Sequence, residues 1–271
     1  MLHFIIDRGN TAIIGAFLIS SIYYLVLTKF TEELTSTRIY IWAIEILFTL
    51  LLTSKPSWLL FVLPSLYFSK KSFFRIIFAS TLIYLLPMLI TGISIFDFAN
   101  SGKIAYSMLQ GTVNFQNDLL AGLAVFLLGT LKISLNLIFL SKYFLLFGLA
   151  LLLVSSIYIY KADYCSKKLR FVFFLSFISL MTLLFNRPSP DYNLTIIFPL
   201  IISIVTIANN QYKLNDFVIK YLALSFFFIA SWGYSIGKIS KIQFSVPFRS
   251  LGLLMLSAYL FYFFFNLKSK D

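Results

Sequence analysis

Ten acidic residues, one histidine and one cysteine leave little from which to build a reactive centre. His3 stands alone, which excludes paired-histidine metal motifs, bis-histidine haem ligation and most imidazole-based triads. Cys165 has no partner for an intramolecular disulfide or a thiolate cluster. No glycine loop of a nucleotide-binding type occurs. The expectation is therefore no metal and no cofactor, with any proton transfer falling to a carboxylate. The remaining polar residues come in groups. In Asp7-Arg8-Gly9-Asn10, Arg8 suits a phosphate, and Asp7 can orient Arg8 or a sugar hydroxyl. Asn10 can cap a helix as well as bind a ligand; a capped helix start with a local ion pair explains the group equally well. Lys55-Pro56 ends an apolar run, where a lysine at a proline-broken helix end can reach an interfacial phosphate or serve as an anchor. Asn117 and Asp118 close a polar stretch over 95–118, placed either to meet sugar hydroxyls or to cap the next helix. Residues 186–193, rich in proline and followed by Pro199, make a rigid turn that presents Asp191 and Tyr192. Lys238, Lys241 and Arg249 gather three cations in 237–249, and Glu45 sits alone inside an apolar run.

The elements that must carry these groups are apolar. Of 271 residues 60% are apolar and 12% charged, against roughly 45–50% and 25% in soluble domains. A soluble globule of this size has no means of hiding so much apolar surface, so soluble enzymes, nucleic-acid-binding domains and disordered proteins are excluded. The net charge of +12 is then read as cations at cytoplasmic loop ends. Runs of about 17–25 apolar residues suit a bilayer. They fall at 11–28, 39–54, 73–94, 138–160, 171–186, 194–208, 217–236 and 250–267. The shorter run 57–68 is a thin or tilted span or a re-entrant segment. The run 119–135, interrupted by Gly122, Gly129 and Lys132, reads as a half-helix, with a full span as its rival. The expected fold is an all-α polytopic membrane protein, a single domain over 1–271 with about nine transmembrane helices (8–10).

Basic residues orient it. With 69–75 and 161–170 placed inside, 29–38, 209–216 and 268–271 also fall inside, and twelve Lys and Arg lie there against seven outside. Three of those seven, Lys238, Lys241 and Arg249, break the rule locally and suggest an anionic partner on the outer side. Glu45 lies about 9 Å deep at 1.5 Å per residue. A carboxylate there must face protein or water; it serves a function or pairs with a buried cation.

Four stretches, taken in order, resemble the GT-C membrane glycosyltransferases, and most closely glycosyltransferase family 87, the bacterial type that uses polyprenyl-phosphate mannose. They are Arg8-Gly9-Asn10 before a span, Lys55-Pro56 with Pro64 after the next, Asn117 to Gly122 before the half-helix, and Ser189-Pro190-Asp191-Tyr192-Asn193-Leu194 with Pro199-Leu200. The resemblance runs from Arg8 to about Leu200. It implies a multi-pass protein of the bacterial plasma membrane that transfers a hexose, with mannose foremost, from a polyprenyl-phosphate donor to a glycan or glycolipid acceptor on the non-cytoplasmic side. Arg8, Lys55, Lys238, Lys241 and Arg249 would hold the donor phosphate, and a carboxylate would deprotonate the acceptor. Two departures accompany it. The family's catalytic Asp precedes Arg-Gly-Asn by several helices, so it is expected upstream of Met1, with the chain a C-terminal portion lacking the N-terminal helices and first outer loop. Asp118 and Leu119 also follow Asn117 where the family tends to have Gln and Ser. The alternative, from Glu45 and Lys132 within apolar runs, is a non-enzymatic component such as a lipid-linked glycan flippase or transporter subunit.

Overall fold

The structure is a computed structural model. It describes residues 10–54, 56–92, 166–185, 199–203, 216–230, 238–239, 242–243 and 248–267, with a few positions at 94–100 and 150–159. Asn10–Lys29 forms α1 and Arg38–Ser54 forms α2; a 3-10 helix follows over Pro56–Tyr67, then α3 over Lys70–Thr91. Lys167–Phe185 forms α4, Asp216–Ala230 α5 and Phe248–Leu267 α6. The described residues are helical except for two-residue strands and short connections. Lys238–Ile239 (β1) pairs antiparallel with Ile242–Gln243 (β2), Lys238 lying opposite Gln243.

Among the described residues one helix, α3, is long and apolar enough to cross a membrane. Shorter apolar helices cover Ile14–Lys29, Phe217–Ile229 and Leu251–Tyr262. The expected runs 119–135, 138–160 and 194–208 lie wholly or mostly outside the described residues. Two helix starts differ from hydropathy, and both for the same reason. Helix α3 starts at Lys70 rather than 73, because the Ser69 side chain accepts from the Ser72 amide at 2.9 Å and caps the end. Helix α4 starts at Lys167 rather than 171, where Ser166 Oγ accepts from the Leu169 amide at 3.3 Å. Lys70, Lys71, Arg75, Lys167, Lys168 and Arg170, read from sequence as loop cations, therefore stand in the opening turns of helices. At its other end α3 stops at Gly92, whose φ of 68° is the left-handed conformation of a helix C-cap.

Two compact units can be distinguished within the chain. Unit 1 comprises Met1–Gly111, Cys165–Ile178 and Thr195–Ile201; unit 2 comprises Thr112–Tyr164, Ser179–Leu194 and Ile202–Asp271. The division passes through the continuous helix α4, which is why no linker marks it.

In unit 1, α1 and α2 pack as an antiparallel hairpin. Helices α2 and α3 run parallel: Arg75 meets Glu45 near their starts, and Tyr84 meets Leu52 and Thr53 near the end of α2. The chain must therefore return from end to end between them. Level with Arg75, α3 begins beside about residue 40, so the return from Ser54 covers about 21 Å. Twelve residues in α form would reach about 18 Å; in 3-10 form, with a 2.0 Å rise, they reach about 24 Å. The 3-10 helix over Pro56–Tyr67 thus runs from one end of unit 1 to the other, and the stretched form is how so short a run does it. Phe68, just after it, packs on Phe30 and Phe171 with ring centroids 5.3 and 5.0 Å apart. This draws 30–38, 68–71 and 166–170 to one end of the unit.

The interior of unit 1 is apolar, with Ile19, Ile22, Phe48, Leu51, Phe61 and Phe171 fully buried, yet large apolar side chains also cover much of the exposed surface. Ser65, Ser72, Ser80 and Ser176 are buried, whereas Phe17, Trp42, Ile46, Phe74, Phe78, Leu86 and Leu89 are exposed. On α3 the inward face is Ser72, Ile76 and Ser80, one residue per turn, and beyond its first two turns the exposed residues are apolar except Thr81 and Thr91. In unit 2, α5 and α6 cross antiparallel: Tyr221 donates to Met255 O at 2.9 Å, and Gly252 lies against the backbone of Ser225 and Ile229.

Candidate functional site

Beside the buried Tyr23–Ser176 hydroxyl pair at 2.8 Å, three polar arrangements join separate helices of unit 1. The first is Glu45 with Arg75. Arg75 Nη2 donates to Glu45 Oε1 at 2.7 Å; the carboxylate side chain is 13% exposed and the guanidinium side chain 55%. Of the two roles open to Glu45 from the sequence, the geometry is that of an ion-pair partner. The cation is Arg75, thirty positions along the chain, brought level by the parallel run of α2 and α3.

The second lies at the basic end. Lys168, 16% exposed, donates through Nζ to Leu27 O at 2.8 Å and Phe30 O at 3.1 Å, carbonyls at the end of α1. Its Nζ is also 3.8 Å from Glu32, its backbone amide donates to Glu32 O at 2.9 Å, and Ser166 Oγ donates to Glu32 Oε2 at 2.5 Å. Lys167 pairs with Glu33 at 2.9 Å. Basic residues in a first turn oppose the helix dipole; Glu32 and Glu33 offset that for α4. The chemistry available here is clamping: one ammonium closes the end of α1 onto the start of α4. Nothing in the local sequence separates Lys168 from its basic neighbours, and only its acceptors distinguish it.

The third is the corner where α2 gives way to the 3-10 helix. Tyr84 Oη of α3 donates to Leu52 O at 3.1 Å and Thr53 O at 3.0 Å. Pro56 begins the 3-10 helix, a position where its missing N–H costs least. The corner falls at the end of unit 1 opposite the basic one. Asn10, the first residue of α1, belongs to that same end, because α1 and α2 are antiparallel.

Most residues expected to bind a ligand fall elsewhere. Asp7, Arg8, Lys55, Asn117, Asp118, Asp191, Tyr192 and Lys241 lie outside the described residues. Lys238 belongs to β1 and Arg249 is the second residue of α6, both in unit 2. Among the described residues no group of three or more His, Cys, Asp or Glu assembles. Compared with protein-family models, with curated proteins and with solved structures, the chain matches none.

Proposed function

We propose that this chain belongs to a multi-pass membrane glycosyltransferase that takes a hexose, mannose foremost, from a polyprenyl-phosphate donor to a glycan or glycolipid acceptor on the non-cytoplasmic side. The observation that carries the proposal is the ordered series Arg8-Gly9-Asn10, Lys55-Pro56, Asn117-Asp118 and Pro190-Asp191-Tyr192. The topology of unit 1 supports it: the start of α1, next to Arg8-Gly9, and the α2 corner, which contains Lys55-Pro56, share the end remote from the basic one. A membrane setting is supported by the many exposed large apolar side chains, a surface that suits lipid, with small hydroxyl residues among those buried between helices. In the mechanism the cations hold the donor phosphate as it departs, and a carboxylate takes the proton of the acceptor hydroxyl. Arg8 and Lys55, both in the stretch assigned to unit 1, are the proposed phosphate ligands. A carboxylate outside the described residues is the proposed base.

The test is photolabelling of the full chain in nanodiscs with a polyprenyl-phosphate hexose carrying a diazirine. Saturable labelling is expected, competed by the unlabelled lipid phosphate and reduced about tenfold or more by Arg8→Ala, as for loss of a charge-assisted contact. Labelling that neither saturates nor responds to Arg8 sinks the proposal. The flippase or transporter reading drew on Glu45 as a lone intramembrane carboxylate. It drew equally on Lys132, which lies outside the described residues; Glu45 itself is engaged with Arg75 at 2.7 Å.

A further inference from the structure

Glu45 and Arg75 mark the seam between α2 and α3, and helical spacing sets out the residues beside it. Arg75 Nη2 donates to Glu45 Oε1 at 2.7 Å, yet the Arg75 side chain stays 55% exposed, so the guanidinium keeps further donors accessible. On α3, Lys71, Phe74, Arg75 and Phe78 fall at i, i+3, i+4 and i+7. They form one stripe, and all four are exposed. On α2, Trp42, three residues before Glu45, and Ile46, one after it, are exposed, and Arg38 stands exposed two turns before it. Helices α2 and α3 run parallel with Glu45 level with Arg75. Trp42 therefore lies about 4.5 Å and Lys71 about 6 Å nearer the basic end, almost at one depth. The seam carries three cations against one carboxylate towards its basic end, and exposed apolar side chains beyond.

We propose that this seam binds an anionic phospholipid in the leaflet at the basic end of unit 1: Arg75 and Lys71 hold the lipid phosphate, Trp42 packs at headgroup depth, and an acyl chain runs along Phe78 and Ile46. The inference rests on the membrane setting of the proposed function and is independent of glycosyl transfer. The partner follows from charge. A phosphate accepts charge-assisted bonds from guanidinium and ammonium groups, and the excess of cations favours a lipid of net negative charge over a zwitterionic one. Glu45 contributes order: by holding the guanidinium it reduces the side-chain freedom lost when the lipid arrives. Tryptophan suits the boundary between headgroups and acyl chains, where its N–H meets water and its ring meets apolar surface. The long stems of Lys71 and Arg75 reach that boundary from the opening turns of α3.

The experiment places the full chain in phosphatidylcholine nanodiscs with a graded fraction of phosphatidylglycerol, one lipid or the other carrying bromine near the headgroup end of its acyl chains. Bromine quenches tryptophan, and the signal of Trp42 is the part of the fluorescence lost in Trp42→Phe. Its quenching is expected to saturate at a low fraction of brominated phosphatidylglycerol and not with brominated phosphatidylcholine. Lys71→Gln and Arg75→Gln each raise the fraction needed for half quenching about fivefold, the worth of one cation near an anionic surface. Lys70→Gln is the control. Lys70 is exposed too but stands about 140° round the helix from Arg75, so its loss leaves that fraction unchanged. An effect of Lys70→Gln equal to that of Lys71→Gln means diffuse attraction and overturns the inference. Equal quenching by both lipids overturns it while leaving the membrane setting intact. Absence of quenching by either lipid overturns the inference and the membrane setting together. Relief of quenching by inorganic phosphate at matched ionic strength assigns the cations to a free anion and overturns the lipid.

Discussion

A carboxylate drawn down to 13% exposure among helices needs a cation, and Arg75 supplies it to Glu45. The two residues are unequal in consequence. Removing Arg75 strands a charge, whereas neutralising Glu45 leaves a half-exposed guanidinium that water can serve. Arg75→Ala is therefore expected to cost about 1 kcal/mol or somewhat more, and Glu45→Gln, which keeps an acceptor, distinctly less. Denaturant unfolding of the purified protein compares them; equal losses would mean that the charge of Glu45 is not what Arg75 balances. The same Glu45→Gln variant addresses transport, because proton-coupled flux abolished by it would support the flippase or transporter reading. Lys168 illustrates the other use of a cation. Its ammonium serves backbone carbonyls of α1, so Lys168→Met leaves Leu27 O and Phe30 O without that donor. The expected loss is about 1–3 kcal/mol, against little change for the exposed Lys71→Met, read by the same unfolding measurement.

Elements meet through backbone as much as through side chains. In the α5–α6 crossing a Cβ at Gly252 would lie 2.6 Å from Ser225 O and 2.9 Å from Ile229 N, atoms that cannot swing aside. Gly252→Ala must push the helices apart and is expected to cost about 1–3 kcal/mol. Gly92 offers a contrast. A Cβ there meets nothing within 4 Å, but φ is 68°, so Gly92→Ala costs about 1 kcal/mol from conformation alone. A thermal shift larger for Gly92 than for Gly252 would contradict the packing account. The 3-10 helix obeys a different constraint, that of reach. Because α2 and α3 are parallel, the connection had to be stretched, and Pro56 at its start favours the fixed φ of a helical first turn.

At the scale of the whole molecule, charge and burial agree on a direction. Lys29, Arg38, Lys70, Lys71, Lys167 and Lys168 belong to segments at one end of unit 1, and Gly92 and Ser94 come after the opposite end of α3. If that unit sits in a bilayer with its basic end inside, a cysteine at Lys71 should react with an impermeant maleimide only after cells are permeabilised. A cysteine at Ser94 should react in intact cells, both on a Cys165→Ser background. Reaction of both from the same side would mean that α3 does not cross. The exposed apolar face of α3 gives the expected crossing its physical motive, since Phe74, Phe78, Leu86 and Leu89 together form a surface that water does not tolerate well.

The helical class, the approximate extents of six helices and the basic end were legible in the sequence, because each depends on local quantities: apolar run length, hydroxyl caps and the positions of Lys and Arg. Hydropathy placed 73–94 and 171–186 three or four residues late, since it reads lysines as loop, whereas Ser69 and Ser166 let the helices begin among them. The 60% apolar content and the rarity of His and Cys narrowed the chemistry from composition alone. The pairings are what only the tertiary structure decided. Glu45 meets Arg75, Lys168 meets the end of α1, Tyr84 meets Leu52, and Pro56–Tyr67 runs from end to end of unit 1 in 3-10 form. Each joins positions that sequence spacing does not relate, or, for the 3-10 helix, depends on where the following helix begins. They arise from two helices being parallel or antiparallel at a given level, and that is set by how whole faces pack, which no local window of residues contains.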